Sequence, residues 1–178
     1  MNRVIVVGTT GSGKTTLTQQ LAAKMACPSI EIDALFWNPG WVQTPRDVFR
    51  ERVAAAIAPE RWVAGGNYSR TRDLIWRRAD TLVWLDYPLP LVLWRLFKRT
   101  TRRIITREEL WGGNRETFGK QFLSRDTLFL WAVQSHPKLR REYPVELAKP
   151  DYAHLAVHRF HSPQETAAWL ARCAKTPP

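Results

Sequence analysis

A glycine-rich loop near the start of the chain has the residue types of a phosphate-binding site. Residues 8–15 read Gly-Thr-Thr-Gly-Ser-Gly-Lys-Thr and satisfy the pattern G-x-x-x-x-G-K-[ST]. The β-branched run at residues 4–7 predicts a buried strand before the loop, and Leu17, Leu21 and Met25 have helical spacing after it. Glycines at a helix N-terminus let backbone N–H groups converge on a phosphate. The sequence therefore predicts nucleoside triphosphate binding.

Each side chain of this loop has an expected role. In such loops the lysine reaches the β- and γ-phosphates, and the hydroxyl that follows it ligates Mg²⁺. Lys14 is thus a predicted catalytic residue and Thr15 a predicted metal ligand, with ATP as phosphoryl donor and Mg²⁺ as cofactor. The residues of this segment predicted to bind nucleotide are Gly8, Thr9, Thr10, Gly11, Ser12, Gly13, Lys14, Thr15 and Thr16.

Composition narrows the class of protein. The chain has 178 residues, 44% of them hydrophobic and 24% charged, which is typical of one globular domain over residues 1–178. Its net charge of +11 is unusual and is compatible with nucleic acid, an anionic membrane surface or phosphorylated small molecules as partners. No uncharged apolar run approaches the ~18 residues of a membrane span, and the apolar run after Arg3 is too short for a signal peptide. Cys27 and Cys173 lack metal-ligand spacing. We expect a cytoplasmic protein that makes no contact with membranes.

Strands alternate with helices along the chain. The predicted strands cover residues 3–7, 29–32, 62–64, 81–86 and 155–160. Helices are predicted over residues 16–25, from a Thr44 cap to about 58, over 69–78, from about 91, over most of 119–149, and after a Ser162 cap. This alternation predicts an α/β fold in which helices cover both faces of a parallel sheet.

Polar side chains follow the second and third predicted strands. Ligands bind beyond the carboxyl ends of strands in such sheets, so Asp33, Asn67 and Tyr68 are candidates for acceptor binding. Asp33 could take the proton of an acceptor hydroxyl, or it could be a turn residue at a strand end. Asn67 and Tyr68 could bind the acceptor or cap their strand.

The chain resembles the small P-loop kinases of the adenylate kinase and shikimate kinase type, and more closely the topology modulation proteins, or adenylate-kinase-related kinases. The segments that carry this resemblance are the loop at 8–15, Asp33–Trp37 with Pro39 and Trp41, Trp62–Tyr68, Arg78–Thr81 and Leu110–Glu116. The resemblance implies a three-layer P-loop NTPase fold whose five parallel strands have the order 2-3-1-4-5. It also implies a helical lid over about 99–120.

The resemblance implies further site residues. An arginine nine residues after the aspartate that ends the fourth strand packs on adenine, and one four residues later contacts phosphate. Counted from Asp86, these are Arg95 and Arg99, the second of them catalytic. Backbone near Ser162 would pass the adenine edge. Trp37 and Trp41 lie in the segment that covers the acceptor in related kinases, where they could stack on it or simply pack, and Trp37 is a predicted acceptor-binding residue.

One segment departs from the family pattern. Relatives commonly end the third strand with Asp-Gly-Asn-Tyr, whose aspartate helps to hold Mg²⁺ through water, whereas this chain has a glycine at position 65. Shikimate-kinase-like proteins place acidic residues at the end of the second strand instead. The metal carboxylate is therefore open between Asp33, Glu31 and Asp86, and Asp33 is the predicted metal ligand.

Positive charge is concentrated in the segment that corresponds to the lid. Residues 95–115 contain seven basic and two acidic side chains. A guanidinium that reaches the transferring phosphoryl group can contribute ~10³-fold or more to the rate. The arginines that compete for this role are Arg102, Arg103, Arg107 and Arg115, with Arg103 predicted to be catalytic and Arg115 to bind the acceptor.

Two functions from different classes fit these features. The favoured one is an ATP-dependent kinase that acts on a small acceptor such as a nucleoside, nucleotide or similar metabolite. The alternative, suggested by the +11 charge and the topology-modulation resemblance, is a nucleotide-dependent regulatory ATPase that binds nucleic acid. The sequence shows no helix-turn-helix or zinc finger, so nucleic acid is a possible partner but not the favoured one.

Overall fold

The chain contains a five-stranded parallel sheet and a small separate hairpin. A computed structural model describes residues 1–115 and 127–173. The strands are β1 (Arg3–Gly8), β2 (Ser29–Glu31), β3 (Trp37–Asn38), β4 (Val42–Gln43), β5 (Trp62–Gly65), β6 (Thr81–Leu85) and β7 (Ala156–Phe160). The helices are α1 (Lys14–Met25), α2 (Ile32–Phe36), α3 (Arg46–Ala56), α4 (Arg72–Arg78), α5 (Leu89–Thr106), α6 (Leu128–Leu147) and α7 (Pro163–Arg172).

The strand order of the large sheet is β2-β5-β1-β6-β7. This is the predicted order 2-3-1-4-5, because the antiparallel β3–β4 hairpin, which was not predicted, only shifts the strand numbers. Every neighbouring pair in the large sheet is parallel. Gly8 pairs with Leu85, and Leu85 pairs with Phe160, so the carboxyl ends of β1, β6 and β7 meet at one edge. The glycine loop leaves the sheet at this edge.

Side chains of the central strand alternate between two cores. Ile5 and Val7 pack with α3, α4 and α6 on one face, whereas Val4 and Val6 pack with α1 and α7 on the other. All four are at most 1% exposed. The strand therefore reads as a continuous apolar run, as expected for a parallel strand covered on both sides. This three-layer arrangement confirms the predicted fold class.

Two local predictions are wrong. The second strand ends at Glu31, and Asp33 lies in the first turn of α2 rather than at a strand end. Thr44 does not cap α3, whose N-cap is Pro45 and which has no side-chain capping bond. The Thr44 hydroxyl instead donates to the carbonyl oxygens of Leu35 and Phe36, so it ties the base of the hairpin to the end of α2.

The segment of the predicted lid is described in part. Helix α5 ends at Thr106, and Glu109 forms an isolated β-bridge with Arg115 that closes a short loop. We call residues 109–115 the lid loop. The remaining lid positions, 116–120, and the part of the predicted 119–149 helix before residue 127 lie outside the described residues. Within residues 1–115 and 127–173, none of the helices is both long and apolar enough to cross a membrane.

Candidate active site

The glycine loop has a tight backbone conformation that requires glycine at two positions. Gly11 has a φ of 84°, and a Cβ there would lie 2.7 Å from the carbonyl oxygen of Val92 in α5. Gly13, the N-cap of α1, has a φ of 99°. These left-handed conformations are accessible to glycine at little cost. Helix α1 follows at once, so its N-terminal N–H groups and its positive dipole end lie at the loop.

Lys14 lies folded over the loop. Its Nζ donates to the carbonyl oxygens of Gly8 at 2.7 Å and Thr9 at 3.2 Å. Burial lowers the pKa of Lys14 from 10.5 to about 8, while the charge of Asp33 acts to raise it and that of Arg99 to lower it further. Lys14, Asp33 and Arg99 are thus close enough to influence one another electrostatically. The structure brings three predicted catalytic residues together.

Helix α5 places an arginine against the loop. The Arg95 guanidinium donates to the Ser12 carbonyl oxygen at 3.1 Å and stands 5.4 Å from the centre of the Tyr87 ring. A Cβ on Gly13 would lie 3.5 Å from the same guanidinium. Arg95 therefore lies against the glycine loop, and its predicted contact with adenine stays a prediction.

Asp33 is held by a tyrosine from the neighbouring strand end. The Tyr68 hydroxyl donates to Asp33 Oδ1 at 2.5 Å, and its ring packs on Phe36 and Phe49 with centroid distances of 4.7 and 5.2 Å. Burial and the Asp33 carboxylate raise the pKa of Tyr68 far above its ordinary value, so it remains a hydrogen-bond donor. Trp37 packs edge-on against Phe36 and Trp41 beside this pair.

Asn67 clamps the first residue of the loop. Its side-chain carbonyl accepts from Gly8 N at 3.0 Å, and its amide nitrogen donates back to Gly8 O. Tyr143 of α6 donates to the same carbonyl oxygen at 3.3 Å. The structure therefore gives Asn67 a role in positioning the loop, which the sequence did not indicate. Acceptor binding by Asn67 stays a prediction.

The three candidate metal carboxylates differ in the partners that they contact in the structure. Glu31 accepts from the Trp111 indole at 2.9 Å and from Gln19 at 3.1 Å. Asp86 is 3% exposed and forms ion pairs with Arg140 and Arg159, each at 2.6 Å. Both carboxylates are thus committed to other partners. Asp33 lies near Lys14 with a neutral tyrosine as its hydrogen-bond donor, which favours it among the three.

The residues present fit a Mg²⁺ site of the kind that phosphate ligands complete. Mg²⁺ at phosphoryl-transfer sites is usually held by one or two protein side chains together with phosphates and water. Thr15 supplies an exposed hydroxyl in the first turn of α1, and Asp33 supplies a carboxylate. Over the described ranges there is no cluster of three His, Cys, Asp or Glu side chains.

Thr18 occupies the space next to the position where relatives carry an aspartate. A Cβ on Gly65 would lie 2.6 Å from Thr18 Oγ1. Thr18 is fully buried, and its hydroxyl has no hydrogen-bond partner. A carboxylate at position 65 would therefore collide with α1. At this position the side chain of Thr18 fills the space that an aspartate would need.

The lid arginines have acidic partners. Arg103 and Arg102 both pair with Glu108, at 3.3 and 2.9 Å. Arg115, whose side chain is 51% exposed, pairs with Glu109 at 2.5 Å, so the structure gives this predicted acceptor ligand a partner within the lid loop. Arg99 is the arginine whose charge acts to lower the pKa of Lys14. The roles of Arg103 and Arg115 toward substrates stay predictions.

Ser162 caps α7 as predicted. Its hydroxyl accepts from Glu165 N at 3.2 Å, and the Glu165 carboxylate accepts from His161 N at 2.9 Å. This is a reciprocal cap of the kind expected from Ser and Glu three residues apart. The proximity of Ser162 to adenine is not tested by these contacts and stays a prediction.

Comparison with solved structures identifies the fold. Shikimate kinase from Acinetobacter baumannii in complex with shikimate has a TM-score of 0.57 and 18% identity, covering 97% of this chain and 89% of the other. Shikimate kinase from Bacteroides thetaiotaomicron has a TM-score of 0.55, 18% identity and coverages of 96% and 95%. A gluconokinase from Sinorhizobium meliloti has a TM-score of 0.52, 18% identity and coverages of 97% and 93%.

These similarities establish the fold of P-loop kinases over nearly the whole chain. Comparison with families gives one partial match, since the PduV-EutP model, described as "Ethanolamine utilisation - propanediol utilisation", matches residues 1–57. That range includes the glycine loop but less than half of the chain. No curated protein matches. The closer resemblance to topology modulation proteins and the nucleic-acid alternative stay predictions.

Proposed function

We propose that this protein is an ATP-dependent kinase that transfers the γ-phosphoryl group of ATP to a hydroxyl of a small-molecule acceptor. The observation that carries the proposal is the phosphate loop at the N-terminus of α1, over which Lys14 lies with its Nζ 2.7 Å from the Gly8 carbonyl oxygen. Asp33, on the acceptor side, and Arg99, on α5, are near enough for their charges to act on Lys14. The similarity of the fold to shikimate kinase and gluconokinase supports the same reaction class.

The donor side of the site binds the triphosphate. Backbone N–H groups of the loop and the α1 N-terminus would surround the β-phosphate. Lys14 would exchange its carbonyl partners, Gly8 and Thr9, for phosphate oxygens. The anionic ligand would also raise the pKa of Lys14, because a nearby negative charge favours the ammonium form. Arg99 would neutralise charge that develops on the transferred group.

The acceptor side supplies a base. Asp33 Oδ1 is engaged by Tyr68, which orients the carboxylate toward the cleft. As the acceptor oxygen bonds to the γ-phosphorus, its O–H bond breaks and the proton moves to Asp33. The bond from the γ-phosphorus to the β–γ bridging oxygen breaks at the same time, and ADP carries away that electron pair. Mg²⁺, held by Thr15 and Asp33 with the phosphates, would screen the phosphate charge.

An acceptor screen tests the proposal. The full chain is incubated with ATP, Mg²⁺ and panels of nucleosides, nucleoside monophosphates and sugar-like or cyclic alcohols, and ADP and phosphorylated product are both measured. A product whose formation disappears in Lys14→Ala supports the proposal. Acceptor-dependent ATP consumption that persists in Lys14→Ala would overturn it.

A further inference from the structure

The lid loop is docked on the hairpin that follows α2. Asn114 is 5% exposed and uses its whole side chain in this contact. Its Oδ1 accepts from Trp41 N at 2.8 Å, and its Nδ2 donates to the carbonyl oxygens of Asn38 at 2.9 Å and Trp111 at 2.7 Å. The side chain thus joins backbone groups of segments more than 70 residues apart.

Close backbone packing reinforces this contact. Gly112 has a φ of 67°, and a Cβ there would lie 2.9 Å from Pro39 N and 3.0 Å from the Asn38 carbonyl carbon. Trp41 itself has a φ of 61°, which is uncommon for a bulky residue. The hydrogen bond from its N–H to Asn114 holds this conformation. Strain kept in place by a long-range contact points to a functional site.

A second contact lies on the other side of Asp33. The Trp111 indole N–H donates to Glu31 Oε2 at 2.9 Å, two residues before Asp33. The hairpin begins at Trp37, directly after α2, and Thr44 ties its base to the Phe36 carbonyl oxygen. The short helix that carries Asp33 is therefore held by the lid loop at both of its ends.

We propose that Asn114 and Trp111 are positioning residues that couple the lid loop to Asp33. The proposal rests on the function proposed above. The lid loop follows α5, which carries Arg95 and Arg99. Its contact with the hairpin therefore fixes the position of these donor-side arginines relative to the acceptor-side carboxylate of Asp33. Undocking would open the acceptor side while the phosphate loop, which Asn114 does not touch, keeps its nucleotide contacts.

Asn114→Ala tests this coupling with two independent measurements on the full chain. Amide hydrogen exchange in a peptide spanning residues 37–43 should accelerate ~10-fold or more, because the Trp41 N–H loses its acceptor, while exchange in β6 stays unchanged. With an acceptor found by the screen, kcat/KM for that acceptor should fall ~10-fold or more. The Kd for ADP should change less than about twofold.

Trp111→Phe is the second variant, because it keeps an aromatic ring and removes the indole N–H donor. Like Asn114→Ala, this variant should lower kcat/KM for the acceptor, while its affinity for ADP should stay unchanged. Trp131→Phe is the matched control, since Trp131 lies on α6 and is 61% exposed, and it should change neither measurement.

Unaltered exchange over residues 37–43 in Asn114→Ala would overturn the coupling, as would equal losses in acceptor and ADP binding. A chain with no kinase activity on any acceptor would defeat the proposed function alone. The exchange measurement would still decide whether the lid loop and the hairpin are joined through Asn114.

Discussion

The Tyr68 hydroxyl donates a hydrogen bond to Asp33 Oδ1, joining the chain after β5 to the first turn of α2. The bond fixes one carboxylate oxygen and leaves the other for a ligand in the cleft. Tyr68 is itself held by aromatic packing on Phe36 and Phe49. The position of the candidate base therefore depends on a small aromatic cluster beside the phosphate loop.

Tyr68→Phe should weaken catalysis without affecting nucleotide binding. Phenylalanine keeps the packing on Phe36 and Phe49 but removes the hydrogen bond that orients Asp33. We expect kcat to fall by ~10-fold, less than the ~10²–10⁴-fold expected when the base itself is removed in Asp33→Asn. Steady-state kinetics with the best acceptor measures both. Equal losses in the two variants would contradict an orienting role, and ADP affinity serves as the control.

The charge of Lys14 should make the ligand-free protein less stable at neutral pH than at alkaline pH. Its pKa is about 8 in the folded protein against 10.5 for the ordinary side chain. Between these values the unfolded chain binds the proton and the folded protein does not, so the free energy of unfolding rises with pH in this window. Below about pH 8, Lys14 is charged in both states, and the full cost of burying this charge lowers the free energy of unfolding.

Lys14→Met removes this pH dependence. The difference in unfolding free energy, wild type minus variant, should increase by up to about 3 kcal/mol between about pH 7 and pH 10.5. Urea unfolding of both proteins at several pH values gives this difference, and groups that titrate in both proteins cancel. A difference that stays constant with pH would show that Lys14 is not desolvated in the folded protein.

Asp86 should contribute to stability rather than to metal binding. It is 3% exposed and neutralised by Arg140 and Arg159, and the latter guanidinium also lies 4.1 Å from the centre of the Trp84 ring. Asp86→Asn removes the buried charge and leaves two arginines, each 40% exposed, without their partner, which we expect to cost about 1–3 kcal/mol of unfolding free energy. The Mg²⁺ dependence of any kinase activity should be unchanged.

A surface pair provides the comparison for Asp86. Asp151 pairs with Arg77, and both side chains are more than half exposed. Asp151→Asn should therefore cost no more than ~1 kcal/mol. If Asp86→Asn and Asp151→Asn lowered the free energy of unfolding equally, the Asp86 cluster would be as well solvated as the surface pair. If Asp86→Asn required more Mg²⁺ for activity than the wild type, Asp86 would again be a candidate metal ligand.

The parts of the site that local spacing determines could be predicted from the sequence. The phosphate loop is one continuous segment between a strand and a helix, and the resemblance to small P-loop kinases, counted from Asp86, implied Arg95 and Arg99. The helix at Asp33 was missed because Ile30, Glu31 and Ile32 read as a short strand, and five residues give too little periodicity to distinguish a helix.

The contacts that complete the site join residues distant in sequence. Asn114 bonds Trp41 and Asn38, 73 and 76 residues away, and Glu31 bonds Trp111, 80 residues away; such pairings depend on how the elements pack together. An asparagine after two glycines also reads as a turn, since asparagine and glycine are both typical turn residues. The sequence therefore marked residues 110–116 as a distinctive segment, while the hydrogen bonds of Asn114 depend on the fold.

Thr18 should prevent an aspartate side chain from fitting at position 65. Gly65 does not have a left-handed φ, so its backbone can accept a side chain. The obstacle is the Thr18 hydroxyl, 2.6 Å from the position of a new Cβ. Gly65→Asp should lower the unfolding free energy by about 1–3 kcal/mol through overpacking.

Adding Thr18→Ala should recover a large part of this loss, because it removes the obstructing oxygen and leaves room for the carboxylate. A double-mutant cycle of urea unfolding energies measures this coupling, expected at about 0.5–3 kcal/mol. Gly66→Ala is the control, since its Cβ would instead meet Ile32 at 2.9 Å and Thr18→Ala cannot relieve that contact. Additive effects of Gly65→Asp and Thr18→Ala would mean that something other than Thr18 excludes the aspartate.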